Sequence, residues 1–253
     1  MFAPFAPKFG NQGIYQSRPS ESRAHMATAP DIPIIYCDPH LLAVNKPAGL
    51  PTLPDGYRPD APYLVGLLKR DYAPLWVVHR LDRQTSGVVV LARSAEVHRG
   101  LNLAFDSRAV SKTYHALIVG RPAWAERAID LPLRTDGDRR HRTVVDAQRG
   151  KPAVTHARVI TRYDRYALIE LQPETGRTHQ IRAHLAAIGY PLAGDELYGG
   201  IMDEQLITRS ALHARSIRFA HPIIHEEMQF EAPYPQDFVA ALEYLARTRG
   251  SDS

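Results

Sequence analysis

His79-Arg80-Leu81-Asp82-Arg83-Gln84-Thr85-Ser86-Gly87 lies between two apolar runs, Leu75-Trp76-Val77-Val78 before it and Val88-Val89-Val90-Leu91-Ala92 after it. Continuous apolar runs bounded by polar turn residues read as buried strands. Asp82 therefore falls where a sheet opens into a loop, flanked in the chain by Arg80 and Arg83. Opposite charge favours the anionic form of a carboxylate, and an ionised, positioned Asp is what nucleophilic catalysis requires. The same residues also suit an ion-paired turn in which Asp82 accepts from nearby backbone N–H groups. The stretch by itself leaves both readings open.

Working outward, ordered structure is expected from about Ile32. Ile34-Ile35-Tyr36 and Leu41-Leu42-Ala43-Val44 predict two strands joined through the turn Asp38-Pro39-His40. Residues 63–72 predict a short helix with Leu64, Leu67 and Leu68 at helical spacing. On the other side, Ser94 is placed to cap a helix running to about Phe105, and residues 113–119 read as a strand ended by Gly120. Residues 154–160 and 166–171 predict an antiparallel pair turning at Tyr163-Asp164-Arg165. A helix opens near Thr178 with Ile181, Leu185 and Ile188 on one face, and Gly189 and Pro191 end it. Strands at 212–220 and 228–231 and a closing helix at 236–245 follow. Strands outnumber helices and many connections are hairpin-length, which predicts an α+β domain around a mixed, largely antiparallel sheet. Residues 121–151 break the pattern with Pro122, Pro132, Gly137 and Gly150 and a cluster of Arg134, Arg139, Arg140, Arg142, Arg149 and Lys151, diluted by Asp136, Asp138 and Asp146. Either a solvated hairpin or a surface for a polyanion fits that composition.

The 253 residues suffice for one substantial core, and no internal repeat or linker divides them. A hydrophobic content of 44% is ordinary for a globular chain. A net charge of +4 with a pI near 9.2 suits a polyanionic partner without requiring one. The single Cys37 excludes an internal disulfide and, in its apolar run, is expected to be a small buried hydrophobe. No stretch approaches the ~18 apolar residues of a membrane span, and residues 1–30 lack a secretory pattern and read as a flexible tail ahead of one domain at 31–250. A monomer in the cytoplasm, without a membrane partner, is the expectation.

His79-Arg80-Leu81-Asp82 with Thr85-Ser86-Gly87 resembles the signature of the RluA family of RNA pseudouridine synthases. Three further segments agree in order and spacing: Val44-Asn45-Lys46-Pro47-Ala48-Gly49-Leu50, then Ser111-Lys112-Thr113-Tyr114-His115-Ala116, then residues 174–185 followed by 189–195. The resemblance covers roughly residues 32–235. It implies the pseudouridine synthase fold, a long curved sheet with a central RNA-binding cleft, and isomerisation of uridine in structured ribosomal or transfer RNA without a cofactor. Carried over position by position, it makes Asp82 the nucleophile, Tyr114 the active-site tyrosine and Arg182 the ion-pair partner of Asp82, with Arg177 and Arg80 as rivals for that last role. It also implies that Arg80 enters the space left by an extruded nucleotide. Lys112, Arg177, His179 and the stretch of Arg139, Arg140 and Arg142 are candidate phosphate contacts.

Three other readings compete with this one. His79, His179, His184, His213, His221 and His225 invite a metal search, but Pro222 interrupts the pair at 221 and 225, and His179 and His184 lie off one helical face, so no metal is expected. An Asp-nucleophile glycosylase would want a second carboxylate near Asp82, for which Asp195 and Glu174 are the motif-linked candidates. A catalytically silent RNA-binding or assembly module would keep the fold, but intact Asp82, Tyr114 and Arg182 argue against it.

Overall fold

The computed structural model describes residues 30–56 and 58–248, so almost all of the expected tail at 1–30 lies outside the described residues. In chain order the elements are β1 (Ile34–Cys37), β2 (Leu41–Lys46), α1 (Leu64–Tyr72), β3 (Trp76–Val77), β4 (Ser86–Ala92), α2 (Ala95–Asp106) and β5 (Ser111–Val119). There follow β6 (Glu126–Asp130), β7 (Leu133–Arg134), β8 (Val144–Val145), β9 (Val154–Arg162), β10 (Tyr166–Pro173), α3 (Gln180–Ala187), β11 (Leu212–Ala220), β12 (Glu227–Glu231) and α4 (Gln236–Thr248). Ten strands form one sheet in the order β1-β2-β4-β11-β5-β10-β9-β6, with β3 added to β4 and β12 to β11. Among the described strands only β4 and β11 pair in parallel. This is the α+β architecture with a mixed, mostly antiparallel sheet that the sequence predicts.

Side chains alternate across a strand, and here both faces are covered. Leu42, Val44, Val89 and Leu91 meet Leu64, Val65 and Leu68 of α1. Their neighbours Leu41, Ala43, Val88 and Val90 meet Val97 and Leu101 of α2. Farther along the sheet, Ala116, Ile118, Ile169 and Leu171 pack on Ile181 and Leu185 of α3. Leu117 and Leu168 pack on Phe238, Ala241 and Leu245 of α4 on the other face. Burial on both sides explains why β4 reads as a continuous apolar run. Tyr114 borders both clusters of the first face, between α1 and α3.

Two expectations are corrected. The run before Asp82 supplies only the two residues of β3, half-buried against the end of β4. Cys37 is exposed, because it closes β1 at the sheet edge, where Arg93 Nη1 approaches its sulfur at 3.2 Å. The 121–151 segment is partly sheet: β6 extends the main sheet beside β9, and β7 and β8 form a small hairpin of their own.

Candidate active site

The turn carrying Asp82 is held through its backbone. Thr85 N donates to Asp82 O at 3.1 Å and Gly49 N to Arg83 O at 2.8 Å. Thr52 Oγ1 bonds both the N–H and the carbonyl of Leu81, at 3.2 and 3.0 Å. Arg209 Nη1 donates to Gln84 O at 3.1 Å while its fork grips Asp237 of α4 at 2.6 and 3.0 Å. Lys46, fully buried, donates to the carbonyls of Pro47, Leu50 and Arg83 at 2.9, 2.8 and 3.3 Å. Burial, helped by the Arg209 charge and opposed by Asp82, pushes the Lys46 ammonium down to about 7. Gly87 ends the turn with φ +116°, and a Cβ there would collide with the Ala214 backbone of β11. A side chain at this point would force apart the one parallel pair of the sheet.

The Asp82 side chain is 22% exposed, open to a cleft of about 460 Å³. Arg182 of α3 points Nη1 at its Oδ2 from 3.4 Å. Asp195 holds that guanidinium in place, accepting from Nε at 2.6 Å and Nη2 at 2.8 Å. Burial disfavours the Arg182 charge, but the Asp195 bonds and the Asp82 charge outweigh it and raise its pKa. His179, in the left-handed region at φ +52° just before α3, brings Nε2 to 3.7 Å from Asp82 Oδ2. Its pKa is lowered, chiefly by burial and further by Arg182, with Asp82 opposing. Gln180 secures the preceding loop: Oε1 accepts from Thr175 Oγ1 and Arg177 N at 2.7 and 3.0 Å, and Nε2 donates to Val154 O at 2.9 Å. Burial, with Asp82 adding to it, pushes the Tyr114 phenol up. Burial lowers Lys112.

Of the residues singled out in the sequence, Asp82, Tyr114, Arg182, Arg80, Lys112, Arg177 and His179 all line this one cleft. Arg139, Arg140 and Arg142 do not. The first two are exposed, whereas Arg142 is engaged by Asp138 at 2.7 Å and by Leu197 O at 3.1 Å. The guanidinium that meets Asp82 is that of Arg182, the partner expected from the arginine motif, whereas Arg83, its neighbour in the chain, turns away to Gly49 O at 3.0 Å. Asp195, offered by the sequence as a second catalytic carboxylate, gives both oxygens to Arg182. Its proper signal was its place in the segment that follows the arginine motif. Lys46 stands in the first of the quoted motifs, but nothing in the sequence distinguishes this buried cation, held by backbone carbonyls, from a solvated lysine at a strand end. His184 bridges Thr155 Oγ1 and Leu131 O at 2.9 and 3.0 Å, and His213 bridges Ser86 Oγ and Ala232 O at 3.0 and 3.1 Å. Among the described residues no three His, Cys, Asp or Glu side chains converge as a metal site requires.

Glu174, the other carboxylate offered by the sequence, also lines the cleft, as does the exposed Asp106, but Glu174 is engaged by His156 at 2.7 Å. A cleft with a carboxylate facing a clamped guanidinium, a tyrosine and several cations suits chemistry on one unit of a polyanion. The family model described as RNA pseudouridylate synthase matches residues 40–187. The ribosomal large subunit pseudouridine synthase D of Pseudomonas aeruginosa is 36% identical over 95% of this chain and 80% of its own length. The dual-specificity RNA pseudouridine synthase RluA of Escherichia coli is 38% identical over 81% of this chain and 94% of its own. The solved structure of human RNA pseudouridylate synthase domain containing 4 superposes with a TM-score of 0.70 at 28% identity, covering 85% of this chain and 93% of that one. The chain belongs to the RluA family of RNA pseudouridine synthases, isomerases that act on uridine in RNA.

Proposed function

We propose that this enzyme converts a uridine of ribosomal or transfer RNA to pseudouridine with Asp82 as the group that engages the extruded nucleotide. The reaction breaks the C1′–N1 bond, turns the uracil and joins C5 to C1′; a proton leaves C5 and N1 ends protonated. Atoms and electrons balance within the nucleotide, so no cofactor is called for. The single observation that carries the reading is the pairing of Asp82 with an Arg182 already held by Asp195, since a preorganised charge needs no rearrangement when the reaction occurs. Tyr114 stacks on the uracil. Arg80, Lys112 and Arg177 meet the neighbouring phosphates, and Arg80 occupies part of the stack vacated by the flipped base.

The ribosomal target is supported by the relatives named for the large ribosomal subunit, and the relative named as dual-specificity leaves room for a second class of RNA beside it. Mapping pseudouridines in total RNA from cells lacking this gene, beside parent cells, tests the proposal. Loss of one or a few sites in either RNA is the expected result. An unchanged map, with free uracil released by the purified enzyme, would replace isomerisation by a glycosylase reaction.

A further inference from the structure

Tyr198 lies outside the cleft lining and is buried, yet it touches both neighbours of Asp82. Its hydroxyl accepts from Thr143 N at 2.9 Å and lies 3.1 Å from His179 Nδ1. Its ring stands 4.9 Å from the guanidinium carbon of Arg182 and 5.9 Å from that of Arg142. A phenol that accepts from an amide still has one proton to donate, and His179 Nδ1 is the acceptor beside it. A histidine nitrogen that accepts a hydrogen bond leaves the ring proton on the other nitrogen. For His179 that other nitrogen is Nε2, the atom facing Asp82.

We infer that Tyr198 is a positioning residue, which holds His179 as the Nε2–H tautomer toward Asp82 and packs its ring on Arg182. The same phenol ties both to the basic hairpin of β7 and β8. Thr143 Oγ1 donates to Thr178 O at 2.8 Å and Arg142 Nη1 to Leu197 O at 3.1 Å, so the hairpin is seated on the residues just before His179 and Tyr198. Displacing the hairpin therefore displaces the groups around the carboxylate. The inference rests on the role proposed for Asp82.

Single-turnover pseudouridine formation and RNA affinity, measured for the wild type, Tyr198→Phe, His179→Ala, their double variant and Asp82→Asn, test it. Tyr198→Phe keeps the ring over Arg182 and removes only the hydroxyl. Its rate is expected to fall about tenfold with affinity unchanged within about twofold. Because the hydroxyl acts through His179, the double variant should be no more than about twofold slower than His179→Ala. A wild-type rate in Tyr198→Phe would overturn the inference, as would losses that multiply in the double variant or appear only in affinity. If Asp82→Asn itself turns over normally, the proposed reaction chemistry fails; if it is silent while Tyr198→Phe is unaffected, only the role of Tyr198 fails.

Discussion

Arg182 sits between two carboxylates of unequal grip. Asp195 is 1% exposed and takes two of its donors, while Asp82 receives a third from 3.4 Å. The tighter pair sets the fork and leaves Nη1 for Asp82. Asp195→Asn should therefore slow single-turnover conversion roughly tenfold or more. It should also lower unfolding free energy by about 3 kcal/mol, since it breaks a buried ion pair from one side; denaturant titration reads the second effect. Arg182 was legible in the sequence because its motif carries it, but its clamp was not. Asp195 is separated from it by 13 positions and a turn, a spacing with no helical or strand period. His213 bears on pH in the same way. Its burial, aided by the charges of Arg209 and Arg215 and opposed by its bond to Ala232 O, lowers its pKa from 6.5 to about 4. The unfolded chain thus binds this proton first, so the stability contribution is full above about pH 6.5 and is lost as pH falls toward 4, by roughly 3 kcal/mol. Melting temperature should decline across that window, and His213→Gln should flatten the decline.

At the scale of elements, every α-helix of the described chain and, apart from β6, every strand longer than two residues has a sequence signal within a few residues of its ends; β6 lies inside the 121–151 segment, whose Pro, Gly and charged residues hid it. Ser94 caps α2 by accepting from Val97 N at 3.2 Å, and Gly189 stops the chain after α3 with φ +85°. The two-residue strands were not legible. A ladder that short has no period to read, and β7 and β8 exist because neighbouring turns hold them together. Asp138 accepts from Arg140 N and Arg142 N at 3.0 and 3.1 Å, and Asp146 from Arg149 N at 2.9 Å and Arg134 Nε at 2.7 Å. Asp138 and Asp146, two of the acidic residues that dilute the basic cluster, are its turn-formers, and they commit Arg142 and Arg134 to the fold. Arg139 and Arg140 stay exposed. Neutralising those two should weaken RNA binding and make log K against log salt shallower by roughly one to two. Fluorescence anisotropy over a salt series measures this, and an unchanged slope would remove the hairpin from the RNA surface.

Across the whole molecule, the sheet brings residues from distant parts of the chain to one place. α1 and α3 cover the same face and Tyr114 lies between them, while Lys46, Thr52 and Arg209 secure the turn from three other segments. Most of this long-range support is invisible to sequence periodicity, because it consists of cations and hydroxyls bonding backbone carbonyls. The cleft residues themselves were legible because four motifs name them. The most direct measurement is single-turnover conversion of a mapped target RNA by Asp82→Asn, with RNA affinity determined in parallel. The expected result is affinity within a few-fold of wild type and a rate reduced about 1,000-fold or more, as for loss of a nucleophile. A rate within tenfold of wild type would contradict Asp82 as the reacting carboxylate.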